Sequence, residues 1–277
     1  MPDRYAVVGH PIAHSKSPRI HGMFAVQTGQ QLVYDAMDVE PGRFAAAVGE
    51  FRAGGGRGLN VTVPFKEQAW ALAEQRSARA QRAGAVNTLV FDGDGPIFGD
   101  NTDGLGLVRD LTVNQGVMLE GRRVLLVGAG GAARGVLEPL LAQRPALLVI
   151  ANRTPEKAVE LARLFCDLGH VEGCGFPVLD GQRFDVVINA TAAGLQGEVP
   201  PLPTDVAAAD GWCYDMMYGS GPTAFVRWAR QQGVAHAVDG LGMLVEQAAE
   251  SFRIWRGVRP LSAPVIAALR AELAAAD

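Results

Sequence analysis

Lysine is scarce in this chain: among 25 basic residues only Lys16, Lys66 and Lys157 are not arginine. An ammonium is a compact charge that can surrender its proton, which a guanidinium does not do near neutral pH. Lys66 stands in LNVTVPFKEQA, behind a short β-branched run and a proline, at the start of an expected helix. The positive end of that helix would favour loss of the proton, as a proton carrier near neutrality requires. Asp103, in GDNTDG, is a carboxylate able to hold or orient such an amine. Position alone equally allows a plain first-turn lysine and a turn or cap aspartate.

A different chemistry is written in VLLVGAGGAARGVL. Gly128, Gly130 and Ala133 form G-x-G-x-x-A directly after an expected strand and at the opening of a helix. Gly128 permits the tight turn, Gly130 lets a pyrophosphate approach the backbone, and Ala133 lets the helix lie close to the strand. Ala129, Gly131 and Ala132 complete the expected cradle. The next strand ends in VIANRTPEK. A chain selecting NAD offers Asp or Glu here for the ribose 2′-hydroxyl, whereas this one offers Asn152, Arg153 and Thr154, with Lys157 one turn into the helix. Two cations with amide and hydroxyl donors suit a 2′-phosphate, so the expected cofactor is NADP. Thr154 would also cap that helix, with Pro155 in its first turn. A nicotinamide carries hydride, and the protein must then add or remove the proton on the reacting oxygen.

The scaffold for these residues reads as α/β. Short β-branched runs alternate with helical stretches: YAVVG and a helix over 17–30, LVYDAMDV and 41–52, LNVTV and 65–74, then AVNTLVF before a glycine-rich turn. Such alternation predicts a mainly parallel sheet with crossovers. A second series begins with RRVLLVGAGG and runs through helices 132–143, 155–165 and 223–232 and the strands ALLVIANR, FDVVINAT, WCYDMMY and AHAVDG. Its all-apolar strands predict burial on both faces, as in a Rossmann-type domain. A helix over 104–114 marks the seam. The expected domains are 1–103 for substrate, 104–239 for the dinucleotide, and 240–277, two helices (244–255 and 263–275) that return to the first domain. Ligands would then occupy a cleft between the domains.

Composition narrows the partners. The chain of 277 residues exceeds what one core usually holds, and 48% apolar with 19% charged residues is ordinary for a globular protein. A net charge of −4 supplies no general basic field for nucleic acid or anionic membrane. No stretch approaches the ~20 apolar residues of a membrane span or resembles a signal-peptide core, so a cytoplasmic location is expected. Cys166, Cys174 and Cys213 are an odd set and read as free thiols. In CDLGHVEGCG, glycines break any helical ligand face and no clear fourth ligand follows, so no metal is expected.

Nine stretches together carry a family resemblance. GHPIAHSKSPRIH, NVTVPFKE, GAVNT, GDNTDG, GAGGAARG, NRT, INAT, YDMMY and DGLGMLVEQAA, in that order along essentially the whole chain, resemble the bacterial biosynthetic shikimate dehydrogenases. The resemblance implies reversible NADPH-dependent reduction of 3-dehydroshikimate to shikimate, on the way to chorismate and the aromatic amino acids. It implies that Lys66 is the catalytic lysine and Asp103 its partner carboxylate. Substrate contacts would fall on Ser15, Ser17, Asn60, Thr62, Asn87, Tyr218 and Gln247, and Thr191, Met216 and Gly240 would lie along the dinucleotide. These donors and acceptors suit a ligand with ring hydroxyls and a carboxylate. Three departures are visible: Lys157 stands where arginine is frequent, which loses a bidentate fork, the glycine motif ends in Ala133, and ATAAG replaces a more hydroxyl-rich turn. Three other readings stay open: a quinate/shikimate dehydrogenase with relaxed cofactor use, a non-catalytic NADP- or shikimate-binding regulator, and a folate-linked methylene dehydrogenase. The expected assembly is a monomer or homodimer acting on a small molecule.

Overall fold

The computed structural model of the chain describes residues 2–191 and 197–275. They fall into two compact units, Met1–Gly106 with Val245–Val265, and Leu107–Leu244 with Ile266–Asp277.

The first unit contains β1 (Asp3–Gly9), α1 (Ser17–Thr28), β2 (Leu32–Asp38), α2 (Phe44–Ala53), β3 (Gly56–Val61), α3 (Lys66–Leu72), β4 (Gln75–Arg76), α4 (Ala78–Ala83), β5 (Thr88–Val90) and β6 (Phe98–Asp100). α5 (Asp103–Arg109) begins in it. The sheet order is β2-β1-β3-β5-β6-β4. β1 runs parallel to β2 and β3, while β5 is antiparallel to both β3 and β6. The antiparallel pair departs from a purely crossover-built sheet because only residues 91–97, FDGDGPI, join β5 to β6, far too few for a crossover helix. β1 shows the two-residue alternation of a strand buried on both sides. Ala6 and Val8 join a core with Phe44, Leu59, Phe65 and Leu89, and Tyr5 and Val7 join another with Ile12 and Tyr34.

α4 was not apparent in the sequence, since its six residues are too few to show a period. Its ends are nevertheless well formed: Ser77 Oγ accepts from Ala80 N at 3.2 Å, and Gly84 closes the helix in the left-handed region at φ 62°.

The second unit contains a π-helical turn (Asp110–Asn114), β7 (Arg123–Val127), α6 (Gly131–Leu141), β8 (Leu147–Ala151), α7 (Pro155–Phe165), β9 (Val171–Cys174), a 3₁₀ turn (Phe176–Leu179), β10 (Phe184–Asn189), β11 (Ala207–Asp215), α8 (Ala224–Gln231) and β12 (His236–Asp239). Its sheet, β12-β11-β10-β7-β8-β9, is parallel throughout, the doubly wound order of dinucleotide-binding folds. β7 is buried on both faces, Val124 and Leu126 in one core and Leu125 and Val127 in another.

Besides the short β4 and β6, β9 is a strand that the sequence concealed. Gly173 lies in it because α7 packs almost onto its backbone: a Cβ there would sit 2.3 Å from the Ala158 carbonyl oxygen. The same glycine that permits this approach erases the β-branched signal.

Two helices close the chain, α9 (Leu241–Arg256) and α10 (Ala263–Ala274). From Val245 onward α9 belongs to the first unit, but α10 does so only as far as Val265. The rest of α10 belongs to the second unit, where Arg270 grips the Asp239 carboxylate with two bonds of 2.5 and 2.8 Å.

Candidate active site

In the first unit, the ends of β1, β3 and β6 and the start of β5 share one edge of the sheet, with Asn60 opposite Thr88 and Thr88 opposite Asp100. Lys66 opens α3 just beyond this edge. Its neighbour Phe65 is fully buried and stacked on Phe44 with ring centroids 5.0 Å apart, which pins the chain immediately before the lysine. The Lys66 carbonyl oxygen accepts from Val86 N at 2.9 Å and ties the first turn of α3 to the approach of β5.

Lys66 Nζ donates to Asp103 Oδ2 at 2.5 Å. The lysine side chain is 30% exposed and the carboxylate 13%, so the amine remains open to a ligand while the aspartate is largely covered. The other oxygen, Asp103 Oδ1, accepts from Asn87 Nδ2 at 2.8 Å. The two aspartates of GDNTDG therefore have separate tasks. Asp100 accepts from Ser77 Oγ (2.5 Å), Asn101 N (2.7 Å) and Arg79 Nη2 (2.5 Å), and so fixes the turn. Asn101 Oδ1 then accepts from Asp103 N at 3.1 Å. Breaking a covered pair such as Arg79–Asp100 by removing one partner typically costs about 3–5 kcal/mol.

Valence alone fixes the Asn87 amide. Its Oδ1 accepts from Thr102 N at 2.9 Å, and a backbone N–H can only donate, so Nδ2 must face Asp103 Oδ1 and Thr102 Oγ1 (2.9 Å). Gln247 Oε1, from α9, is 3.4 Å from both Asn87 Nδ2 and Thr102 Oγ1. Asn60 is fixed similarly: Nδ2 donates to Asn87 O (3.2 Å), Thr88 Oγ1 (3.3 Å) and Ser251 Oγ (3.0 Å), while Oδ1 accepts from Tyr34 OH (2.7 Å). Ser15 Oγ accepts from Ser17 N at 3.3 Å, Ser17 itself is buried, and Thr62 is half-buried just past β3. The first unit thus gathers Asn60, Lys66, Asn87, Asp103 and Gln247 into one network. Tyr34, Thr88, Thr102 and Ser251 belong to it too and had not been singled out. Tyr218 lies in the second unit, where burial first and the Asp239 charge second push its phenol above the usual value.

The strand ends of the second unit look different. Gly128 follows β7 at φ 110°, and a Cβ there would meet Thr191 Cγ2 at 3.1 Å and the Ala190 backbone at 3.3 Å. Around Gly130 and Gly131 a Cβ would find nothing within 4 Å. Gly130 is the N-cap of α6 and makes no side-chain cap, so no cap side chain covers the N-terminus of α6. A bare helix N-terminus behind a glycine turn fits a pyrophosphate. Thr154 holds the N-cap position of α7, yet its side chain makes no cap hydrogen bond; Asn152 Nδ2 instead donates to Thr154 O at 2.9 Å. Arg153, Thr154 and Lys157 are exposed.

After β10, Asn189 Oδ1 accepts from Thr191 N (3.1 Å) and Thr191 Oγ1 (2.7 Å), while Asn189 Nδ2 donates to Asp215 Oδ1 (3.0 Å). Burial pushes the Asp215 carboxyl up, against the donors Thr223 Oγ1, Met217 N and Asn189 Nδ2. Gly240 sits against Met216, whose carbonyl oxygen would be 2.4 Å from a Cβ at that position. The rest of ATAAG, residues 192–194, lies outside the described residues.

Cys166, Cys174 and Cys213 are free, and His170 pairs with Glu172 at 3.1 Å. Among the described residues no three His, Cys, Asp or Glu side chains converge as metal ligands, and no helix is long and apolar enough to cross a membrane.

Residues 7–89 match the family model of the shikimate dehydrogenase substrate binding domain, residues 111–196 that of shikimate / quinate 5-dehydrogenase, and residues 240–270 that of the shikimate 5'-dehydrogenase C-terminal domain. A shikimate dehydrogenase (NADP(+)) of Methylococcus capsulatus is 62% identical over 271 residues, 98% of this chain and 97% of the relative. Among solved structures, an Ael1 enzyme from Pseudomonas putida superimposes with a TM-score of 0.91 at 51% identity, covering 96% of this chain and 98% of that one. The shikimate 5-dehydrogenase of Thermus thermophilus, solved with NADP(H) and shikimate, gives 0.86 at 34% identity, covering 97% and 99%.

Proposed function

The chain belongs to the shikimate dehydrogenase family, and we propose that Lys66 and Asp103 carry the proton chemistry of its reaction, the reversible NADPH-linked reduction of 3-dehydroshikimate to shikimate. The observation that carries this reading is the 2.5 Å Lys66–Asp103 pair, in which the amine is open and the carboxylate is held from behind by Asn87.

Bound NADPH supplies the hydride that adds to the ketone carbon. As negative charge grows on the ketone oxygen, the Lys66 ammonium neutralises it and then hands it a proton. Asp103 keeps the ammonium aimed, and Asn87 keeps Asp103 from turning. In the oxidative direction the neutral amine of Lys66 takes the proton from the shikimate hydroxyl. Ser15, Ser17, Asn60, Thr62, Asn87 and Gln247 of the first unit supply hydroxyl and amide partners for the ring hydroxyls and carboxylate.

For the cofactor, the turn Gly128–Ala132 would cradle the pyrophosphate. Asn152, Arg153, Thr154 and Lys157 would hold the 2′-phosphate, and Thr191, Met216 and Gly240 would line the path to the nicotinamide. The Thr154 hydroxyl, unused as a cap, is available for that phosphate. The same reading places the enzyme in the cytoplasm as a monomer or homodimer.

Absorbance at 340 nm tests the reading, with shikimate and NADP against quinate and NAD. Fast turnover confined to the first pair is expected. Equal rates with quinate or NAD would make it a relaxed quinate/shikimate enzyme, and no turnover by the folded chain would leave a ligand-binding regulator.

A further inference from the structure

Tyr34, on β2, is nearly buried, and its ring lies face to face with His21 at 4.2 Å, the planes 4° apart, with Trp255 tilted beside it. His21 is wholly buried and neither of its ring nitrogens has a hydrogen-bond partner among the described residues. The Tyr34 ring is therefore covered by aromatic neighbours, which leaves the phenol oxygen the hydrogen-bond choices of its polar neighbours.

Those choices follow from donors and acceptors alone. The nitrogen end of Asn60 is fixed by the Asn87 carbonyl, which cannot donate, so Asn60 Oδ1 must face Tyr34. An amide oxygen carries no proton, so the phenol donates to it, at 2.7 Å. Burial holds the Tyr34 phenol well above its usual value, so this proton stays in place across the working range of pH.

From Asn60 the chain of bonds runs to the amine. Asn60 Nδ2 donates to Thr88 Oγ1 (3.3 Å), Thr88 Oγ1 to Asn87 Oδ1 (2.9 Å), Asn87 Nδ2 to Asp103 Oδ1 (2.8 Å), and Lys66 Nζ to Asp103 Oδ2 (2.5 Å). We propose that Tyr34 is a positioning residue for the reaction, holding the orientation of the Asn60–Thr88–Asn87–Asp103 chain that ends on Lys66. This rests on the reading of Lys66 and Asp103 given above. Without the phenol hydroxyl, Asn60 Oδ1 loses its 2.7 Å donor. The amide is then held from its nitrogen side only, and its looser hold on Thr88 passes to the next amide along.

Tyr34→Phe keeps the ring, its volume and the stack on His21, and deletes only the hydroxyl. The expected result is a kcat lowered about tenfold, a raised KM for shikimate, an unchanged Kd for NADPH, and a displaced acid limb in the pH profile of kcat. A merely structural role would lower the melting temperature and leave that limb in place. Thr88→Val cuts the same chain one link further along and should displace the same limb, which keeps the test available if Tyr34→Phe folds poorly. Lys66→Ala in the same series separates the two readings. Should it retain turnover, the Lys66–Asp103 assignment fails and the positioning role with it. If Lys66→Ala is inactive while Tyr34→Phe or Thr88→Val, properly folded, matches the wild type in kcat, KM and pH profile, the positioning role alone is overturned.

Discussion

At the strand ends of the first unit, the central polar side chains already have protein partners: Asn60, Asn87, Thr102 and Asp103 are held in one mesh, and Lys66 is joined to it. At the strand ends of the second unit the prominent positions are bare: Gly130 and Gly131 face open space, and neither Gly130 nor Thr154 caps its helix. The two kinds of chemistry have different needs. Charge that develops during a reaction is best met by groups oriented beforehand, because reorganising them would add to the barrier. A pyrophosphate does not change as the hydride moves, so backbone N–H groups and empty space suffice. Damage to the first region should therefore appear in kcat, and damage to the second in cofactor affinity.

The sharpest attempt to break this contrast is Lys66→Ala, which should lower kcat by roughly 10²- to 10⁴-fold, the usual contribution of a positioned acid–base group. Lys66→Arg, which keeps the charge but not the transferable proton, should recover little of it in the same steady-state assay.

A second test concerns what the mesh is built over. His21 is fully buried, and burial pushes its pKa down from 6.5 to about 3. The folded protein therefore keeps it neutral while the unfolded chain protonates below pH 6.5. Its contribution to stability is complete above pH 6.5 and is lost as the pH falls toward about 3. Urea unfolding should show a loss of roughly 2 kcal/mol between pH 6.5 and 5 from this group. In His21→Phe that part of the pH dependence should vanish, and its persistence would assign the acid sensitivity to other groups.

In the second unit, Gly130→Ala should leave the melting temperature unchanged, since a Cβ there meets nothing within 4 Å. It should still raise the KM for NADP about tenfold, near 1.4 kcal/mol, by keeping the pyrophosphate off the backbone. Gly128→Ala is the contrasting variant: at φ 110° and 3.1 Å from Thr191 it should destabilise the fold itself. Equal melting losses in both would show that the two glycines do the same job. The smallest effect expected is from Arg153→Ala, about fivefold in the KM for NADP with the KM for NAD unchanged, as loss of one exposed phosphate partner would produce.

What could be read from the sequence follows the same division. A glycine turn between an apolar strand and a helix is local, so GAGGAARG announced its geometry within a few residues. Lys66 was conspicuous because the chain avoids lysine elsewhere. The mesh around it was not readable from residue types, because its bonds join distant segments: Asn60 and Ser251 are 191 positions apart, and Asn87 and Gln247 160. A buried Thr88 in a strand or Ser251 in a helix looks like any other, and no local pattern marks Tyr34 as a donor. Family resemblance supplied Asn60, Asn87 and Gln247, which composition and periodicity alone could not. β9 escaped for a local reason, the close approach of α7 that demands Gly173.

Lys66 should serve the chemistry and not the capture of the cofactor. The most direct measurement is kcat for shikimate oxidation and the Kd for NADPH, determined on one preparation of folded Lys66→Ala. The expected result is a kcat at least 10²-fold below wild type with the Kd within about twofold. A Kd that collapses with kcat, or a kcat close to wild type, would contradict it.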